Sequence, residues 1–149
     1  MVEELLYIKD LKNEELIDII SNVWGFEETA EALLQLKQRL PDKALELGIV
    51  LLEEDKGDDY LQASVWDMIF DINPLLTIEH VSRRTALMGK TLMHDILEEL
   101  AMEYSFKDLT KLPSEFLEKI NQSYQAMGSE IQTDLAELYY SVCEKVNRK

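Results

Sequence analysis

The sequence predicts an all-α protein of seven to nine helices, arranged as a compact bundle or as a short stack of antiparallel helical hairpins. Three observations carry that expectation. Apolar residues recur at three- and four-residue spacing along almost the whole chain. No stretch sustains two-residue alternation, and no Asn-Gly or Asp-Gly pair joins two β-rich runs. Glycine and proline are few, at five and three, and the 149 residues are the length of one ordinary domain with a real core.

Taken in order, Glu3 to Ile8 is an apolar-rich lead-in, a short helix or helical turn. Asn13 is expected to cap the next helix, with Glu14 and Glu15 in the first turn, where the helix dipole favours acids. Leu16, Ile17, Ile20, Val23 and Trp24 form its apolar face, and Gly25 is its expected stop. Glu27 to Leu40 continues with Ala30, Leu33, Leu34, Leu36 and Leu40 inward. Pro41 ends that helix and can open another, because a proline at the first helical position forgoes only an unsatisfied donor.

Pro41 to Asn73 reads as the centre of the fold. Leu45, Ile49 and Leu52 make one stripe and Ala44, Leu47 and Leu51 a second. After an acidic turn, Leu61, Val65, Met68, Ile69 and Ile72 lie beside Ala63, Trp66 and Phe70, with Tyr60, Ser64, Asp67 and Asp71 along a polar edge. Helices apolar over most of their circumference must be covered on more than one side, so this hairpin should be sandwiched by others. Asp59 and Gln62 have capping-box spacing at the start of its second helix.

Beyond Pro74, periodicity runs through Leu76, Ile78, Val81 and Leu87, then from Leu92 to Tyr104, with Gly89 between the two groups as a break or a helix crossing. Ser105 to Pro113 reads as a loop. Ser114 opens a helix carrying Phe116, Leu117, Ile120, Tyr124 and Met127, which Gly128 stops. Ser129 and Gln132 repeat the capping-box spacing, and the last helix carries Ile131, Leu135, Leu138, Tyr139, Val142 and Val146 before the basic end Asn147 to Lys149. Pairing these segments gives units at 13–40, 41–73, 76–104 and 114–147, about thirty residues each.

With its opening proline, acidic turn and alanine-bearing second helix around Ala63, the unit from Pro41 to Asn73 resembles a HEAT-type helical repeat. Leu61 and Gln62 stand where such repeats commonly have a valine and a basic residue. The resemblance implies a scaffold or adaptor that binds a protein or peptide.

Charge narrows the function. Thirty acids against fifteen bases leave −15, and residues 1–75 hold 18 acids and 6 bases while residues 76–149 hold 12 and 9. A field of this sign repels nucleic acid and anionic membrane and speeds encounter with a basic protein; solubility alone is the plainer reading of the same charge. The basic group Arg83, Arg84 and Lys90 is too small to reverse that expectation. No apolar run is long enough to cross a bilayer. The opening MVEELLYIKD lacks the pattern of a secretory signal, and the single cysteine, Cys143, cannot form an internal disulfide. A cytoplasmic location is expected.

The densest feature is Glu53, Glu54, Asp55, Asp58 and Asp59, five carboxylates in seven residues with Lys56 opposing them. A solvated polar turn explains such a run. The functional reading is that these groups, with Tyr60, Asp67 and Asp71, mimic phosphates and engage lysines and arginines of a partner. A calcium loop is excluded: with Gly57 in the glycine place, Leu52 and Ala63 would have to be ligands. His80, His94, Asp95 and Asp134 suggest a metal-dependent phosphohydrolase of the HD family, but thirteen residues between the histidines is short for it. No enzyme activity, cofactor or metal is expected. Trp24 and Trp66 read as core, and Tyr60 and Tyr140 as better interface candidates. In size, acidity and helical character the whole chain resembles the immunity proteins of bacterial toxin systems, including those of contact-dependent growth inhibition. That resemblance implies binding of a cognate toxin, often a basic nuclease, and occlusion of its active site.

Overall fold

The computed structural model describes residues 6–147, and among them eight α-helices and two 3-10 turns follow one another. The helices are α1 (Asn13–Asn22), α2 (Phe26–Arg39), α3 (Pro41–Glu53), α4 (Asp59–Ile69), α5 (Pro74–Ser82), α6 (Lys90–Met102), α7 (Ser114–Ala126) and α8 (Ser129–Val146). The 3-10 turns are Leu6–Asp10, covering the later part of the expected lead-in, and Leu109–Lys111, inside the expected loop. Residues 3–5 of that lead-in and residues 148–149 of the basic end lie outside the described residues.

Two layers result. In one, α2 packs on α4, α4 on α6 and α6 on α8; in the other, α1 packs on α3, α3 on α5 and α5 on α7. Contacts of α1 with α2, α2 with α3, α3 with α4 and α6 with α7 join the layers. Sequential helices thus alternate between layers, with α1/α2 and α3/α4 packed as helical hairpins and α5 packed on α3 and α7. The cause lies in the doubly apolar stripes of α3 and α4. Ala44, Leu45, Ile49, Leu51 and Leu52 are buried on α3, and Leu61, Ala63, Val65, Trp66 and Ile69 on α4, so each helix satisfies neighbours within its layer and across it. Trp66 stacks on Phe70 at 4.4 Å and on Phe116 of α7 at 6.4 Å, carrying the core from one layer to the other.

Several helix ends differ from the sequence reading. Lys12, not Asn13, is the cap of α1; the Glu15 carboxylate accepts from its N–H at 3.0 Å, which frees the Asn13 side chain to accept from Arg39 at 3.3 Å. The stop of α1 comes at Val23, which is left-handed at φ 48°, while Gly25 is the cap of α2. Asp58, not Asp59, caps α4, accepting from Leu61 N–H at 2.8 Å. Gly128 caps α8 and Ser129 is its first helical residue; Gln132 turns away to donate to the Tyr124 carbonyl at 2.9 Å.

Candidate functional site

The acidic turn is held from beneath. The N–H of Lys56 bonds the Leu51 carbonyl at 3.0 Å and that of Asp55 the Leu52 carbonyl at 3.3 Å, the paired bonds of a Schellman motif. Asp55 takes the left-handed place at φ 52°, which a short polar side chain tolerates. Gly57 follows at φ 78°, and a Cβ there would lie 2.4 Å from Leu61 Cδ2. The turn's carbonyls are then claimed by two buried polar side chains. Gln62, 1% exposed, donates to Leu51 O at 2.8 Å and Lys56 O at 2.6 Å. Arg84, 2% exposed, donates to Leu52 O at 2.6 Å, Gln62 Oε1 at 2.7 Å, Asp55 Oδ1 at 3.0 Å and Ala86 O at 3.1 Å. Withdrawal from water pulls the Arg84 pKa below its usual value, and Asp55 is the main charge opposing that pull. Arg84 is therefore no part of a surface basic group. Gln62 serves this network rather than a capping box.

Each carboxylate predicted at the turn has an intramolecular partner. Glu53 lies 2.5 Å from His80 Nδ1, and Glu54 3.7 Å from Lys56 Nζ. Asp55 meets Arg84, and Asp58 caps its own helix. Asp59 reaches across to the start of α6, where it accepts from Thr91 N–H at 2.7 Å and Leu92 N–H at 3.2 Å, as a carboxylate at a helix N-terminus should. That approach explains Gly89, where a Cβ would stand 2.5 to 2.9 Å from the Asp59 carboxylate. Lys56 is thus not the only cation opposing the turn, because Arg84 does so from the interior.

The polar edge of α4 is placed differently. Tyr60, Asp67 and Asp71 are exposed on the outer face of the layer α2, α4 and α6. Tyr60 meets Phe26 edge to face at 6.5 Å, and Asp71 pairs with Lys37 of α2 at 3.0 Å. Between α2 and α4 runs a shallow groove of about 480 Å³, with Glu27, Glu31 and Leu34 on one wall and Ser64, Asp67 and Met68 on the other. From the α6 side, Asp95, Glu98 and Glu99 act on Asp67. Partial withdrawal from water, then the neighbouring Asp95 carboxylate and the negative charges of Glu98 and Glu99, push the Asp67 carboxyl up to about 8. Asp67 thus sits in a row of carboxylates drawn from three helices. Sequence reasoning found Tyr60, Asp67 and Asp71, named Asp95 only as a metal candidate, and missed Phe26, Glu27, Glu31, Glu98 and Glu99. Their only signal is like charge along α2 and α6, which means little until those helices are known to flank α4.

The remaining candidates are dispersed. His80 on α5 pairs with Glu53, His94 on α6 lies 3.0 Å from Asp95 and 3.9 Å from Glu98, and Asp134 pairs with Lys90. Among the described residues, no three His, Cys, Asp or Glu side chains converge to hold a metal ion. Cys143 lies beside Tyr139, whose phenol is pushed up to about 12 by desolvation first and Cys143 second and donates to Asn121 at 2.6 Å. Trp66 is buried as expected, whereas Trp24 is 57% exposed, contrary to its helical spacing, because the left-handed turn at Val23 directs the chain off the helix before it.

No helix among the described residues is long and apolar enough to cross a membrane. No family model, curated protein or solved structure matches the chain.

Proposed function

We propose that this protein binds a basic protein partner through the outer face of α2, α4 and α6, and that it acts as an immunity protein, neutralising a nuclease-type toxin by covering its active site. The observation that carries the reading is Asp67: the charges acting on it are negative and come from a neighbouring helix, so the face stores repulsion that a lysine- or arginine-rich surface would relieve. The aromatic pair Tyr60 and Phe26 at one end of the same face supplies the apolar anchoring that binding hot spots use. The acidic turn contributes less than its composition suggests, since its carboxylates already serve Arg84, His80 and two helix starts.

The test is expression beside the basic carboxyl-terminal module of a secreted toxin encoded next to its gene. The wild type should form a complex and restore growth, with an association rate that falls about tenfold or more from low to physiological salt. Reversing charge at Glu27, Glu31 and Asp95 should abolish protection while helical content is kept. Complex formation unchanged by those reversals would overturn this face as the binding surface. The two-layer packing of helical hairpins favours a second reading, a HEAT-like adaptor holding a peptide in the α2/α4 groove; its binding would vary little with salt.

A further inference from the structure

A second concave site lies between α1 and the first 3-10 turn, with Trp24 of the link from α1 to α2 at its edge. Its volume is about 410 Å³. Two aromatic walls face into it, Tyr7 and Trp24, which stay 46% and 57% exposed. The floor is apolar, from Leu11 and Ile19, and the rim is acidic, from Glu14, Glu15 and Asp18 on α1. Among the described residues none of these three carboxylates is paired with a lysine, arginine or histidine. Glu15 accepts from a backbone N–H and Asp18 from the Asn22 amide, neither of which supplies charge. The Arg39 guanidinium, which bonds the Leu11 carbonyl, also donates to the Lys9 carbonyl and the Asn13 side chain.

We infer that this pocket receives one arginine side chain of a protein partner. Each part of that side chain finds its complement. The three methylenes lie on Leu11 and Ile19, the planar guanidinium stacks on the Trp24 indole, and its forked donors reach the acidic rim. Lysine, a compact and strongly hydrated point charge, makes less of the indole face and of the paired acceptors. The backbone accounts for the exposure of Trp24. Val23 is a β-branched residue held at φ 48°, where glycine is the usual choice, and the strained turn is what sets Trp24 at the pocket mouth rather than in the core. The inference rests on the reading that the partner is basic, but it concerns a different face from the α4 groove.

The probes are a short capped peptide with one arginine among glycines and its lysine and citrulline counterparts, added to the full chain. Binding is read from the indole N–H resonance of Trp24, with the buried Trp66 indole as the internal control for folding. The arginine peptide should shift Trp24 saturably and leave Trp66 in place. The citrulline peptide, equal in shape without charge, should bind at least about tenfold more weakly, and lysine should fall between. Asp18→Asn together with Glu14→Gln should weaken the arginine peptide by about tenfold. Glu31→Lys and Asp95→Lys, which damage the other face, should leave the Trp24 titration unchanged, so failure at either face is read separately. An unmoved Trp24 resonance at millimolar arginine peptide, or equal shifts from citrulline, would overturn the assignment.

Discussion

Replacing Arg84 with methionine tests how the acidic turn is held. The guanidinium is 2% exposed and donates four hydrogen bonds, to Leu52 O, Gln62 Oε1, Asp55 Oδ1 and Ala86 O. Methionine fills much of the volume but donates nothing, so the Gln62 amide oxygen is left buried without a donor, at about 1–3 kcal/mol, while the Leu52 carbonyl keeps the Asp55 N–H and loses about 1 kcal/mol. The Asp55 contact adds less, because that carboxylate is about half exposed at 47% and water screens it. Relief from desolvating a cation offsets part of the loss. The expected net destabilisation is about 3 kcal/mol, a large share of the roughly 5–15 kcal/mol that holds a domain together. Urea unfolding followed by circular dichroism at neutral pH measures it, and Arg84→Lys should lose nearly as much, since an ammonium cannot fork to four separate acceptors. A loss below about 1 kcal/mol for Arg84→Met would show that the turn does not depend on the network.

Further expectations follow from single positions. Gly57→Ala places a Cβ at φ 78° and 2.4 Å from Leu61 Cδ2, and should cost about 1–2 kcal/mol in the same unfolding assay. Gly89→Ala drives a methyl into the Asp59 carboxylate and should cost about 1–3 kcal/mol, with Asp59→Ala partly rescuing it in a double-mutant cycle. Asp67 has a folded pKa of about 8 against 3.8 for the free group, so the native state binds the extra proton. Its contribution to stability is therefore unchanged below about 3.8, declines as pH rises between 3.8 and about 8, and is flat above. Because the side chain is exposed on one side, solvent screening trims the effect. Asp67→Asn should leave melting unchanged at low pH and raise it relative to the wild type in alkaline buffer; equal melting curves at both ends would contradict the upward shift of the Asp67 carboxyl.

The helices and the hairpins α1/α2 and α3/α4 were legible because both rest on local periodicity, whereas α5 packs on α3 and α7 rather than on α6, its partner in the sequence reading. The unit boundaries read at 41 and 73 coincide with Pro41 and with Asn73, which caps α5. Capping was less legible, since Asp58 and Asp59 offer the same chemistry and only the position of α6 reserves Asp59 for another helix. Arg84 shows the same limit more strongly. Beside Arg83 it has the look of a surface base, and nothing local marks it as the residue that bonds a carbonyl 32 positions earlier. Trp24 has core spacing yet follows a left-handed turn, and no glycine stands at Val23 to announce that turn. The acidic run was the most conspicuous feature of the sequence, but its carboxylates are occupied within the fold. Asp67 is unremarkable in sequence and acquires its charge environment only when α6 packs against α4.

Amide hydrogen exchange on the protein alone and in complex with its basic partner locates the binding face most directly. Slowed exchange is expected along α2, α4 and α6 around Phe26, Tyr60, Asp67 and Asp95, with α3, α5 and α7 unchanged. Slowed exchange confined to α3, α5 and α7, with the Asp67 face unaffected, would contradict it.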